Sequence, residues 1–215
     1  MTNGLTLRNV CILRAGSPLI EVDHVIAPGE VLTVMGPSGV GKSTLLAFIT
    51  GTLAPAFKGM GTVELDGQDI THVPPHRRQI GILFQDDLLF PHMSVGANLA
   101  FGMPAGGSRA ERRATIEAAL DDVELAGYAD RDPATLSGGQ KARVALVRML
   151  LSKPRALLLD EAFSRLDAEL RAQVRDLVFR TARDRALPVL MVTHDAEDAA
   201  AAGGTLITLE SLTKT

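Results

Sequence analysis

Gly36-Pro37-Ser38-Gly39-Val40-Gly41-Lys42-Ser43-Thr44 has the residue types and spacing to hold a string of phosphates: a glycine, four free positions, then Gly-Lys-Ser. Glycines let backbone N–H groups close around phosphate oxygens with no Cβ in the way. A helix starting at the end of such a loop adds positive potential. Lys42 would reach the β and γ phosphates, and the Ser43 hydroxyl would ligate Mg²⁺. The flanks suit this chemistry. Val31 to Met35 reads as a buried strand, and Leu45 to Ile49 as a helix closed near Gly51.

Two further stretches carry chemistry once the loop is in view. The apolar strand Ala156 to Leu159 runs into Asp160 and Glu161. Ligands of an open α/β sheet gather at the carboxyl ends of its strands. Asp160 is thus placed to hold Mg²⁺, and Glu161 to polarise an attacking water as general base. Leu136-Ser137-Gly138-Gly139-Gln140 lies after Pro133 and directly before a helix, a second anion site at a helix N-terminus. By itself the pentapeptide is a serine-capped helix after a glycine loop.

The elements that must position these residues follow from pattern. Strands are expected over Leu5 to Leu13 and Leu19 to Ile26, joined by Ala15-Gly16-Ser17-Pro18, with Pro28-Gly29 turning the chain into the strand that ends at Met35. Thr62 to Ile70 reads as a hairpin about Asp66-Gly67, and Gln79 to Phe84 as a strand after Pro74-Pro75. The middle is helical, with Val95 to Phe101, Arg109 to Leu120 and Gln140 to Ser152 around the Gly/Pro-rich loop Met103 to Ser108. Arg109, Glu111, Arg112 and Arg113 read as a solvated face. The strand Ala156 to Leu159, a helix over Glu169 to Arg185, a strand over Pro188 to Thr193 and a last strand over Thr205 to Leu209 complete the pattern. This alternation implies an α/β core with a mainly parallel sheet, into which the helical middle is inserted.

Bulk properties narrow the function. A length of 215 residues suits one domain with a sizeable insertion, and 46% hydrophobic residues suffice for a core. A net charge of -3 leaves no electrostatic footprint for nucleic acid. The single cysteine, Cys11, excludes an intrachain disulfide and a cysteine metal cage, and its apolar surroundings suggest a buried structural thiol. Met1-Thr2-Asn3-Gly4 does not open a signal peptide, and no apolar run reaches membrane-spanning length. A reducing cytoplasm is the expected setting.

Together the motifs carry a family resemblance. Leu136 to Gln140 matches the signature of ATP-binding cassette (ABC) ATPases, and the phosphate loop, signature and Asp-Glu strand follow in that family's order. Gln85, after Ile82-Leu83-Phe84, resembles the Q-loop glutamine; Ser164-Arg165-Leu166-Asp167 resembles the D-loop; His194 resembles the switch histidine. Taken singly, these three read as a polar strand terminus, a helix N-cap and a capping imidazole. The resemblance implies a P-loop NTPase core over about 1–85 and 155–215, with an N-terminal antiparallel β-subdomain and a helical subdomain over about 86–154. It implies ATP and Mg²⁺ as cofactors and a head-to-tail dimer of cassettes. Gly36 to Thr44 would hold phosphates; Ser43, Gln85 and Asp160 would hold or sense the metal. Glu161 would activate water, His194 would contact the γ-phosphate, and Ser137, Gly138, Gly139 and Gln140 would close on the nucleotide of the opposite cassette.

The segment Phe84 to Val95 is similar to importer ATPases, closest to short thiamine-importer-like cassettes, in which the stretch after the Q-loop receives a helix of the membrane permease. Phe90, Pro91 and Met93 are the residues expected there, unless they only pack the insertion. The implied partners are a second copy, permease subunits and, indirectly, a periplasmic or lipid-anchored solute-binding protein. The implied place is the inner face of the cell membrane. An exporter or lipid- and lipoprotein-release cassette is the alternative; a ribosome- or DNA-acting cassette and a small-molecule kinase fit less well. This chain departs from the family pattern in places. Ile12-Leu13-Arg14 lacks the aromatic that usually stacks on adenine, Ala162 follows Glu161 in place of proline, and Lys141-Ala142-Arg143 follows the signature. The C-terminal regulatory domain of several importer ATPases is not expected after Leu209.

Overall fold

β1 (Leu5–Arg14) and β2 (Ser17–Ile26) form an antiparallel hairpin closed by two residues, Ala15 (φ 50°) and Gly16 (φ 83°). Positive φ at both positions makes a turn whose twist matches that of the strands. The connection is thus shorter than the four residues expected. Pro18 lies inside β2 and is tolerated because β2 is the edge of its sheet. The computed structural model describes residues 4–209.

The chain packs as two units. The first takes the residues up to Ile82, Arg155–Glu161, and those from Phe179 on; the second takes Leu83–Pro154 and Ala162–Val178. β4 (Phe57–Leu65) and β5 (Gln68–Asp69) join the hairpin in a four-stranded sheet of order β2-β1-β4-β5. Asp66 (φ 49°) and Gly67 (φ 76°) form the expected tight turn. β4 begins at Phe57, five residues before the hairpin expected from Thr62. Gly59 and Gly61 conceal its start: a Cβ at Gly59 would enter the Phe48 ring, and Gly61 (φ 90°) faces the bulge at Asn9. Cys11 is half-buried, against the expectation of a buried thiol. Strand alternation turns it away from the core that takes Val10 and Ile12.

The second sheet has the order β6-β7-β8-β3-β9, with β3 (Val31–Met35), β6 (Ile80–Phe84), β7 (Ala156–Asp160), β8 (Val189–Thr193) and β9 (Thr205–Thr208). The β3–β8, β3–β9 and β7–β8 pairs are parallel. Continuous apolar runs such as Leu157-Leu158-Leu159 are what strands buried on both faces require. The fold is therefore the α/β class read from the sequence. α1 (Lys42–Thr50) follows β3 and places Leu45, Leu46 and Ile49 in the core shared by the two sheets.

The second unit is built on α2 (Val95–Gly102), α3 (Arg109–Asp121) and α4 (Gly138–Leu151), with Leu99, Leu120, Val144 and Val147 in its own core. Arg109, Glu111 and Arg113 are exposed, as the solvated face read from the sequence requires, and Arg112 is half-buried; three of the four also make local contacts. Glu111 completes a capping box with Ser108, and Arg112 donates to the carbonyls of Ala100 and Pro104. Arg113 pairs with Asp130. α5 (Ala168–Asp184) follows, and α6 (Ala196–Ala202), a helix not among those expected from sequence, lies before β9. Asp195, not His194, caps α6 by accepting from Glu197 N and Asp198 N.

Candidate active site

Three strand ends of the parallel sheet bring the chemistry of the first unit together. The phosphate loop leaves β3 after Met35, Asp160 and Glu161 end β7, and His194 follows β8. Register aligns these ends, with Met35 beside Thr193 and Asp160 beside Val192. Ligands of an α/β sheet collect there.

Gly41 caps α1 with φ 108°, a conformation strained for any residue bearing a Cβ, and a Cβ there would lie 3.0 Å from Leu19 Cγ. Lys42 is 5% exposed. Its Nζ donates to the Gly36 carbonyl at 2.6 Å and the Pro37 carbonyl at 3.1 Å, and stands 3.6 Å from Glu161 Oε1. A buried ammonium held on loop carbonyls, with a carboxylate in reach, is ready to exchange those partners for anionic oxygens. Ser43 Oγ donates to Asp160 Oδ1 at 3.2 Å, joining helix α1 to strand β7.

Burial pushes the Asp160 carboxyl above its ordinary pKa. The hydrogen bond from Ser43 and the charge of Lys42 pull it down, while Glu161 pushes it up. Glu161 N continues the sheet ladder by donating to Val192 O, yet its φ is 48°. A positive φ at a residue with a long side chain is a strain site, of the kind held where function demands a direction. Its Oε2 faces His194 Nδ1 at 3.2 Å. Lys42, Glu161 and His194 thus form a line in which one carboxylate bridges two nitrogen groups.

The residues expected from the signature lie in the second unit. Ser137 Oγ accepts from Gln140 N and Gln140 Oε1 accepts from Ser137 N, a reciprocal cap at the start of α4. Gly139 is there because a Cβ would enter the Leu170 side chain of α5. Asp167 Oδ1 accepts from Leu170 N, so the aspartate of the D-loop stretch also caps a helix. Gln85 follows the end of β6 and is exposed.

Some supporting residues lie outside the sequence motifs. Asn98 is fully buried on α2; its Oδ1 accepts from Phe90 N, and its Nδ2 donates to the carbonyls of Phe90, Met93 and Ser94. Arg148 donates to the carbonyls of Asp87 and Leu88. Between them they fix the segment after Gln85. Phe90 packs edge-on against Phe101, which is 68% exposed, with ring centroids 4.8 Å apart. Asp86 pairs with Arg165. A polar residue in the otherwise apolar run of α2 was the one available signal, pointing to Asn98.

The sequence matches the ABC transporter family over residues 19–164. The chain belongs to that family. It is similar to an uncharacterized ABC transporter ATP-binding protein YnjD of Escherichia coli, 49% identical over 195 residues and 90% of each chain. It is similar to the thiamine import ATP-binding protein ThiQ of Cereibacter sphaeroides, 45% identical over 87% of this chain and 80% of that one. It is also similar to the spermidine/putrescine import ATP-binding protein PotA of Frankia alni, 44% identical over 86% of this chain but only 40% of that longer protein. As a member of the ABC transporter family the chain is an ATP-binding cassette ATPase. Two of these three relatives are named for import, in agreement with the importer-type resemblance of Phe84 to Val95. Among the described residues no helix is long and apolar enough to cross a membrane.

Proposed function

We propose that this cassette is the ATP-hydrolysing subunit of a solute importer, working as a head-to-tail pair beside a membrane permease. The observation that carries the reading is the gathering of Lys42, Ser43, Asp160, Glu161 and His194 at the carboxyl ends of β3, β7 and β8, within hydrogen-bonding or near-contact distances. In it, Gly36 to Thr44 cradle the phosphates, and Lys42 trades the Gly36 and Pro37 carbonyls for β and γ oxygens. Ser43 and Asp160 offer two hard oxygens to Mg²⁺, with Gln85 as a further contact. Among the described residues no group of three His, Cys, Asp or Glu side chains could hold a metal alone. That suits an ion that takes part of its shell from substrate phosphates. Bound Mg²⁺ would neutralise charge on the β and γ oxygens.

Glu161 takes the proton of the attacking water. His194, on the far oxygen of that carboxylate, holds it in place and meets the γ-phosphate. Ser137, Gly138, Gly139 and Gln140 close on the nucleotide of the opposite cassette, so loss of the γ-phosphate opens the pair. Phe90, Pro91 and Met93 face the permease, and the assembly sits on the inner face of the membrane, served by a periplasmic or lipid-anchored binding protein.

Glu161→Gln tests the assignment. Hydrolysis should fall by about 10²–10⁴ while Mg-ATP binding is kept. Unchanged steady-state turnover in the purified variant would remove Glu161 from the mechanism.

A further inference from the structure

Tyr128 is the only tyrosine of the chain. It sits in a tight run of turns, in which Tyr128 N donates to Leu125 O and Arg131 N donates to Tyr128 O. Its half-buried ring packs on the core of the second unit and carries the Arg131 guanidinium on one face, 3.9 Å from the centroid. These contacts place the ring, and phenylalanine would fill the same space. The hydroxyl is what tyrosine adds. It accepts from Gln140 Nε2 at 3.3 Å, in the first turn of α4.

That bond reaches the signature through one amide. Gln140 Oε1 accepts from Ser137 N at 3.0 Å, and Ser137 Oγ accepts from Gln140 N at 3.3 Å. A glutamate would make the same cap. Glutamine differs by an NH2 group, which needs an acceptor where it is half-buried. The Tyr128 oxygen is that acceptor. The amide is therefore held at both ends, its oxygen on Ser137 and its nitrogen on Tyr128. Ser137 Oγ acts as an acceptor in the cap, so its own O–H can donate to a phosphate oxygen.

We propose that Tyr128 is a positioning residue for the signature. Through Gln140 it sets Ser137 to receive the γ-phosphate of the opposite cassette before two chains meet. The proposal rests on the paired-cassette reading above. A signature already ordered in the single chain loses less freedom when the pair closes on ATP, and the pair is tighter for it.

Tyr128→Phe keeps the ring and removes the hydroxyl. In a Glu161→Gln chain with Mg-ATP, sedimentation should show the dimer dissociation constant raised by about 2- to 10-fold, the weight of one hydrogen bond. With Glu161 intact, turnover per chain at saturating Mg-ATP should need a correspondingly higher protein concentration to reach its plateau. Affinity for Mg-ADP, which has no γ-phosphate for the signature to meet, should stay unchanged by calorimetry. In a Gln140→Ala background Tyr128→Phe should weaken pairing no further, because its path runs through that amide. An unchanged dissociation constant, an equal loss of Mg-ADP affinity, or full additivity with Gln140→Ala would each overturn the role of Tyr128 alone. A Glu161→Gln chain that stays monomeric in Mg-ATP would overturn the paired-cassette reading, and this proposal with it.

Discussion

Asp160 shows how a single side chain can oppose the fold that carries it. Its carboxyl is lifted above the ordinary value mainly by burial. The folded chain therefore holds this proton to higher pH than the unfolded chain does. Stability falls as pH rises from the ordinary carboxylate value through the raised one, and the cost persists above it. Asp160→Asn keeps the shape and removes the charge. Without nucleotide or metal, its Tm should exceed that of wild type at pH 8, and the gap should close near pH 3, where both side chains are neutral. Thermal melts across that range check the sign, and a gap that widens on acidification would contradict it. The same substitution should abolish Mg²⁺-dependent turnover, so stability and activity move in opposite directions at one residue.

At the scale of elements, the start of α4 depends on a fit between two helices. Gly139 leaves the space that Leu170 of α5 fills. Gly139→Ala should lower thermal stability, because the leucine must shift, and Leu170→Ala in the same chain should recover part of the loss. The coupling from denaturant titrations of both singles and the double is expected at about 0.5–3 kcal/mol; strict additivity would mean the helices do not meet there. This fit was not legible in the sequence, since Gly139 and Leu170 are brought together only by tertiary structure. The loops and strands of the site were legible because each has local chemistry of its own. Glycines mark the turn before α1, and an apolar run ends in Asp160 and Glu161. β4 was read short because Gly59 and Gly61, required by close packing, remove the β-branched signal. α6 was missed because its alanines carry no apolar period. Cys11 was misplaced because an apolar neighbourhood in sequence does not say which face of a strand a residue takes.

At the scale of the whole molecule, the proposed pairing of cassettes predicts kinetics that a lone chain would not show. Turnover per chain should rise with protein concentration, and Glu161→Gln should run as a dimer on gel filtration with Mg-ATP and as a monomer without it. A rate per chain independent of dilution would argue for a site complete in one copy. The sheet order has another consequence, for how the molecule is made. β3, which feeds the phosphate loop, is an interior strand, with β8 on one side and the edge strand β9 on the other, and both lie near the opposite end of the chain. On a ribosome adding about 5–20 residues each second, β3 is complete on the order of ten to thirty seconds before either neighbour emerges. Throughout that interval an apolar strand of the loop-bearing unit has two open edges, each a template for pairing with another nascent chain. The helical stretch from α2 to α4 is synthesised within the same interval and has its own core. This half of the molecule can therefore fold early, while the hydrolytic half must be shielded until its last strands arrive.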